Sequence, residues 1–263
     1  MPLQCSISKG KIEMEKIKLM SHLVAGYPTN EISLDVARSL VKGGADILEV
    51  QLPFSDPSAD GPAIQTACTE VLARNYKTAD GLAFIKQIHE EFPETTIYIM
   101  SYGSLIYTPG VDAFCKKASE CGVKGMIIPD LPFDHDEGLT EACKKYGMEN
   151  IPVAAPSMTD ERLSKLANAG FKYIYCALRA GITGSKTTID EKTIAFLNKV
   201  SAGGSKVYGG FGISNGEQSH ALASSVEAVV AGSVFVRIIA EKKDNVEALK
   251  SAIVEKVKEL TGL

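Results

Sequence analysis

No segment of the 263-residue chain approaches the ~18 uninterrupted apolar residues that a membrane-crossing helix needs. The N-terminus, Met1–Lys18, carries Lys9, Lys11, Lys16 and Lys18 and lacks the apolar core of a signal peptide. Together these absences point to a cytoplasmic protein. There is no basic block or stripe, and net charge is −4 with acids and bases interspersed, which argues against a nucleic-acid partner. None of the six cysteines (Cys5, Cys68, Cys115, Cys121, Cys143 and Cys176) forms a C-x-x-C pair, so free thiols in a reducing compartment are expected. Four histidines, His22, His89, His135 and His220, lie scattered without metal-ligand spacing. No G-x-G-x-x-G follows the first apolar run, which weakens a dinucleotide-binding open sheet. No linker, repeat or low-complexity tract divides the chain.

What the sequence has is alternation. Eight short apolar runs are separated by helix-patterned segments: Lys18–Val24, Ala45–Val50, Thr96–Tyr102, Gly125–Pro129, Asn150–Ala154, Tyr173–Leu178, Lys206–Gly209 and Glu227–Ala231. They are apolar nearly throughout, as strands buried on both faces are. Leu82, Ile85 and Ile88 mark one helix, and Leu163, Leu166 and Ala167 another. Asn30, Thr78 and Thr159 stand where helix N-caps belong. A long amphipathic helix is expected from about residue 236 to 260. Eight strand–helix units in this length predict a single (β/α)8 barrel over 1–263, preceded by a short helical segment at about 1–17.

Function in such barrels gathers at the C-terminal ends of the strands. The second run ends in Leu-Glu-Val-Gln-Leu-Pro-Phe-Ser-Asp-Pro-Ser-Ala-Asp-Gly-Pro, residues 48–62. It places Glu49 in an apolar strand and Asp56 and Asp60 on the loop beyond. A carboxylate inside an apolar strand needs a reason, because an unpaired buried charge is costly. Glu49 and Asp60 therefore suit acid–base work on a bound small molecule. Glycine-bearing turns follow the last three runs: Arg179–Ser185, Gly209–Ser214 and Ala231–Ser233. Glycine lets backbone approach an anion, and N–H groups at a helix start bind phosphate. Tyr102, Tyr175 and Phe211 fall at strand ends and either wall an apolar pocket or pack as ordinary core aromatics.

The segment Glu49–Gly61 closely resembles the signature of the tryptophan synthase α subunit family. The resemblance continues through Ala25–Pro28, Pro129–Pro132, Gly181–Gly184, Gly210–Ser214 and Gly232-Ser233 and covers almost the whole chain. It implies a carbon–carbon lyase that cleaves indole-3-glycerol phosphate to indole and glyceraldehyde 3-phosphate. On that resemblance Glu49 is the general acid–base, Asp60 accepts the indole N1–H, and Gly184, Gly212, Gly232 and Ser233 hold the phosphate. Met100, Tyr175 and Phe211 flank the indole, and Thr183 closes over the site onto Asp60. The resemblance further implies no cofactor in this chain and an α2β2 assembly with a pyridoxal-phosphate β chain. The loop bearing Pro53, Asp56 and Pro57 forms part of the docking surface, with Pro53, Phe54 and Pro57 exposed.

Seven positions depart from the family pattern. Gln51 replaces glycine, His22 an aromatic residue, Ser21 a proline, Ser58 an aliphatic residue, Leu178 a small or polar one, and Gly103-Ser104 a segment that offers asparagine. His22 either packs in the core or reaches Glu49 or a substrate hydroxyl. Gln51 shares a strand face with Glu49 and is expected to crowd it or hydrogen-bond to it. The departures leave open drift with the reaction kept, a changed phosphorylated substrate, or a non-catalytic activator of a β chain.

Overall fold

In the computed structural model the described residues are 7–8, 11–12, 16–178, 189–210 and 212–263. The strands in chain order are β1 (Ile7–Ser8), β2 (Lys11–Ile12), β3 (Leu19–Val24), β4 (Ile47–Gln51), β5 (Thr96–Met100), β6 (Gly125–Ile127), β7 (Glu149–Asn150), β8 (Val153–Ala154), β9 (Tyr173–Ala177), β10 (Lys206–Gly210) and β11 (Ala228–Ala231). β1 and β2 pair with each other antiparallel. Where a helical segment is expected before residue 18, the described residues thus form a small hairpin.

The other nine strands make one parallel sheet in the order β7-β6-β5-β4-β3-β11-β10-β9-β8. Its two ends, β7 and β8, are halves of the single expected strand Asn150–Ala154. Pro152 has no N–H to give a ladder, so the strand breaks there. Ile151 N–H still donates to Met126 O at 2.8 Å, and Pro152 O accepts from Tyr175 N–H at 2.9 Å. The interrupted strand therefore binds a neighbour on each side and closes the cylinder. The result is the (β/α)8 barrel.

Period-two alternation sorts each strand between two cores. On β4, Leu48 and Val50 join the layer between barrel and helices. Ile47 joins an interior cluster with Met20, Tyr98, Met100, Tyr175 and Tyr208. Tyr98 and Tyr208 meet at 2.9 Å between hydroxyls, and Tyr173 stacks on Tyr208. This aromatic plug fills the barrel interior.

Helices follow the strands as the periodicity requires. Leu82, Ile85 and Ile88 are buried on Thr78–Glu91, and Leu163, Leu166 and Ala167 on Asp160–Ala167. Thr159 caps its helix, but the other two expected caps stand one residue too far along. Thr29 Oγ1 accepts from Ile32 N–H, and Lys77 precedes the helix in which Asp80 takes the Lys77 N–H at 2.7 Å. The long final helix is two, Ser233–Lys242 and Val246–Thr261, because Asn245 starts a new one by accepting from Ala248 N–H at 3.1 Å. The five cysteines from Cys68 onward are free thiols; Cys5 lies outside the described residues. No helix among the described residues is long and apolar enough to cross a membrane.

Val246–Thr261 packs on Asn30–Gly43, the helix after β3, at close quarters. A Cβ on Gly43 would stand 2.7 Å from Val257 Cβ, and Val257 is fully buried. Gly43→Ala should therefore push the two helices apart and lower unfolding free energy by about 1–3 kcal/mol in urea titrations.

Candidate functional site

A cavity of ≈ 330 Å³ opens at the C-terminal ends of the strands. Glu49 and Asp60 both line it, one from β4 and one from the loop beyond. Glu49 is 3% exposed and Asp60 5%. The two acids thus converge on one volume. His22 on β3 stands opposite Glu49 in the parallel register. Its Nδ1 lies 3.2 Å from Glu49 Oε2, with both side chains buried. Burial pushes the imidazole's pKa down, but the Glu49 charge, the hydrogen bond to it and the Asp60 charge outweigh burial, so the pKa ends above its ordinary range. His22 is therefore no mere packing residue.

Asp60 is held by two donors on one oxygen. Tyr102 O–H and Gln51 Nε2–H each reach Asp60 Oδ2 at 2.7 Å. Burial still raises the Asp60 pKa, against the lowering effects of His22, Tyr102 and Gln51. Two expectations change here. Gln51 bonds Asp60, not Glu49, because the loop brings Asp60 back over the strand end. Tyr102 is 1% exposed and does not line the cavity; it stands behind Asp60 and accepts from Ala59 N–H at 3.2 Å.

Across from the acids, Met100 and Tyr175 form part of the wall. Burial, with the charges of Glu49 and Asp60, keeps the Tyr175 phenol neutral. Gly210 makes room for it, since a Cβ there would stand 2.9 Å from the Tyr175 hydroxyl. Gly212, Gly232 and Ser233 also line the cavity. Gly212 has φ +84°, a conformation glycine adopts freely. Gly232 precedes the helix Ser233–Lys242, and among the described residues no side chain caps that helix. The N–H groups of Phe235 and Val236 turn back to Gly232 O, so those of Ser233 and Val234, with the positive dipole end, are what the helix start offers an anion. Arg237, one turn along the same helix, also borders the cavity. The sequence reading missed it, although its i+4 spacing from Ser233 put both on one helix face. Thr183, Gly184 and Phe211 lie outside the described residues.

The other expected departures do not line the cavity. Gly103 N–H donates to Asp130 Oδ1 at 2.9 Å. Leu178 is buried beside Gly209. On the signature loop Pro53 and Pro57 are buried, not exposed, and the half-buried Phe54 stacks on Tyr102 at 5.0 Å. Only Ser55, Asp56 and Ser58 are exposed between residues 53 and 58.

The family model described as tryptophan synthase alpha chain matches residues 9–262. The chain belongs to the tryptophan synthase alpha chain family. It is 40% identical over 232 residues to the tryptophan synthase alpha chain of Helicobacter hepaticus, covering 86% of this chain and 87% of that one. The Methanosarcina barkeri alpha chain is 36% identical over 240 residues, 91% of this chain and 90% of its own. Among solved structures, the tryptophan synthase complex of Pyrococcus furiosus matches with TM-score 0.82 and 31% identity, covering 95% of this chain and 100% of that chain. A Mycobacterium tuberculosis tryptophan synthase matches with TM-score 0.82 and 28% identity, covering 94% and 93%. Of the positions expected from the sequence to depart from the family pattern, His22 and Gln51 touch the two cavity acids.

Asp60 offers a direct test of the electrostatics. Its raised pKa means that the neutral acid stabilises the fold below the ordinary carboxylate range, and that this stability is lost as pH rises through the raised value. In Asp60→Asn an amide oxygen at the Oδ2 position still accepts from both Tyr102 and Gln51. The variant should melt higher than the wild type at neutral pH, while any turnover that needs the carboxylate falls roughly 10²-fold.

Proposed function

We propose that the chain is the α subunit of tryptophan synthase and cleaves indole-3-glycerol phosphate by a retro-aldol reaction. The observation that carries this reading is the convergence of Glu49 and Asp60 on a cavity that also holds the uncapped start of Ser233–Lys242. The phosphate is held at Gly212, Gly232 and Ser233, with Gly184 from the loop after β9, and Arg237 adds a cation beside them. The indole lies between Met100 and Tyr175, and the family resemblance adds Phe211 and Thr183 to its pocket.

In the reaction, Glu49 gives a proton to indole C3 and so forms an iminium-like ring. Asp60 accepts the N1–H and stabilises the positive charge that develops there. Glu49, now a carboxylate, takes the proton of the glycerol hydroxyl on the carbon attached to C3. The C–C bond breaks, its electron pair returns to the ring, and the hydroxyl carbon becomes an aldehyde. The products are indole and glyceraldehyde 3-phosphate, and Glu49 ends in the state in which it began. The barrel acts as one domain, in the cytoplasm, without an organic cofactor of its own. Pyridoxal phosphate belongs to the β chain, with which the chain forms an α2β2 assembly. The solved complexes of relatives support that assembly. Asp56, Pro53 and Pro57 lie on the loop proposed to meet the β chain.

Purified protein given indole-3-glycerol phosphate should release indole, faster with a β chain present. No release in either condition overturns the reading. Activation of a β chain without any cleavage would make the chain an activator only. Glu49→Gln should lower turnover about 10³-fold while binding of glycerol 3-phosphate stays within roughly threefold of wild type.

A further inference from the structure

Two buried polar atoms next to the acids have no hydrogen-bond partner among the described residues: His22 Nε2 and Gln51 Oε1. An orphaned buried polar group is costly, and here the two are complementary, a ring nitrogen that donates when protonated and an amide oxygen that accepts. The other ends of both side chains are engaged. His22 Nδ1 faces Glu49 Oε2 at 3.2 Å, and Gln51 Nε2 donates to Asp60 Oδ2 at 2.7 Å. His22 and Gln51 stand on the neighbouring strands β3 and β4, two positions apart in the register, and the Gln51 side chain favours the protonated imidazole.

We propose that His22 and Gln51 are positioning residues that couple the two acids, through a bridge running from Glu49 to His22 Nδ1, from His22 Nε2 to Gln51 Oε1, and from Gln51 Nε2 to Asp60. The proposal rests on the reaction assigned above and adds to it a pair of residues beyond those that the resemblance places in the reaction. The bridge needs both ring nitrogens to carry protons. A protonated ring fits its surroundings, since Glu49 from β4 and Asp60 from the loop both face it. Tyr175 from β9 stays neutral, and the backbone of Gly232 after β11 packs against the His22 Cβ. Arg237, at the rim of the same cavity, is the cation nearest in kind, and it is solvent-exposed. When the imidazolium loses a proton, Glu49 Oε2 holds the one on Nδ1, so Nε2 turns from donor to acceptor. Gln51 can then meet it only by turning its amide, which takes Nε2 away from Asp60. Loss of one proton at His22 is therefore felt at both acids.

The first test reads the bridge without substrate. The imidazole of His22 is titrated by NMR in the wild type, Glu49→Gln and Gln51→Gly. Proton affinity should fall about tenfold or more in Glu49→Gln and by a smaller, measurable factor of roughly threefold in Gln51→Gly. An unchanged midpoint in Gln51→Gly overturns the bridge. The second test reads cleavage of indole-3-glycerol phosphate. His22→Phe should lower kcat about tenfold with KM within roughly threefold, and remove the limb on which activity falls as pH rises. His22→Asn keeps an N–H donor near the Nδ1 position and should restore kcat to within about threefold of wild type while the limb stays absent. His22→Phe combined with Gln51→Gly should be little worse than His22→Phe alone; losses that multiply overturn the coupling. An unaltered kcat and pH profile in His22→Phe overturns the positioning role. If the wild type releases no indole, the reaction assigned above fails, and the NMR titration still decides the bridge.

Discussion

Two carboxyl groups sit almost without solvent at the mouth of a barrel whose interior below them is apolar and aromatic. Placing charge there is the most expensive thing this fold does, and the surrounding architecture is organised to offset it. Each acid has its own solution. Glu49 has an ion-pairing imidazole directly opposite in the strand register. Asp60 has two hydrogen-bond donors converging on a single oxygen. The two differ in how the cost is met. An imidazole can exchange a proton with its partner, whereas neutral donors only moderate the penalty, and the pKa of Asp60 remains raised. Two titratable carboxyls with different surroundings suit a reaction that moves a proton at one point and stabilises positive charge at another.

The barrel supplies these solutions through register. His22 and Glu49 can pair because β3 and β4 run parallel with those residues side by side. Tyr102 reaches Asp60 because it follows β5 on the far side of β4, and the loop after β4 turns back over both. The glycines divide into two kinds of work. Gly209 and Gly210 belong to β10 itself, where Val226, Val230 and Tyr175 approach too closely for a Cβ. Gly212 and Gly232 instead border the cavity, where exposed backbone faces the site.

Eight strands were legible because burial on both faces leaves a continuous apolar signature, and the carboxylate inside one such run, Glu49, marked the site at once. Helix cores were legible for the same reason: Leu82, Ile85 and Ile88 repeat at the helical period. What escaped depended on atoms distant in sequence. The target of Gln51 was misread because same-face logic within a strand points to Glu49, and only the return of the loop brings Asp60 nearer. Pro53 and Pro57 were expected at the surface from their place in a polar loop, but the loop folds inward on Tyr102. Arg237 escaped because it lies a turn beyond the glycine signal. The break in the last helix turned on one side-chain cap at Asn245, a local competition that amphipathic periodicity does not register.

The inward turn of the signature loop has a consequence for recognition. Its proline rings are already spent within the chain, so a protein arriving at this loop meets the hydroxyls of Ser55 and Ser58 and the carboxylate of Asp56. Asp56 is itself partnered by Ser55 Oγ at 2.7 Å. Attraction at such a surface is electrostatic, is felt before contact, and fades as ionic strength shortens its range to roughly 8 Å at physiological salt.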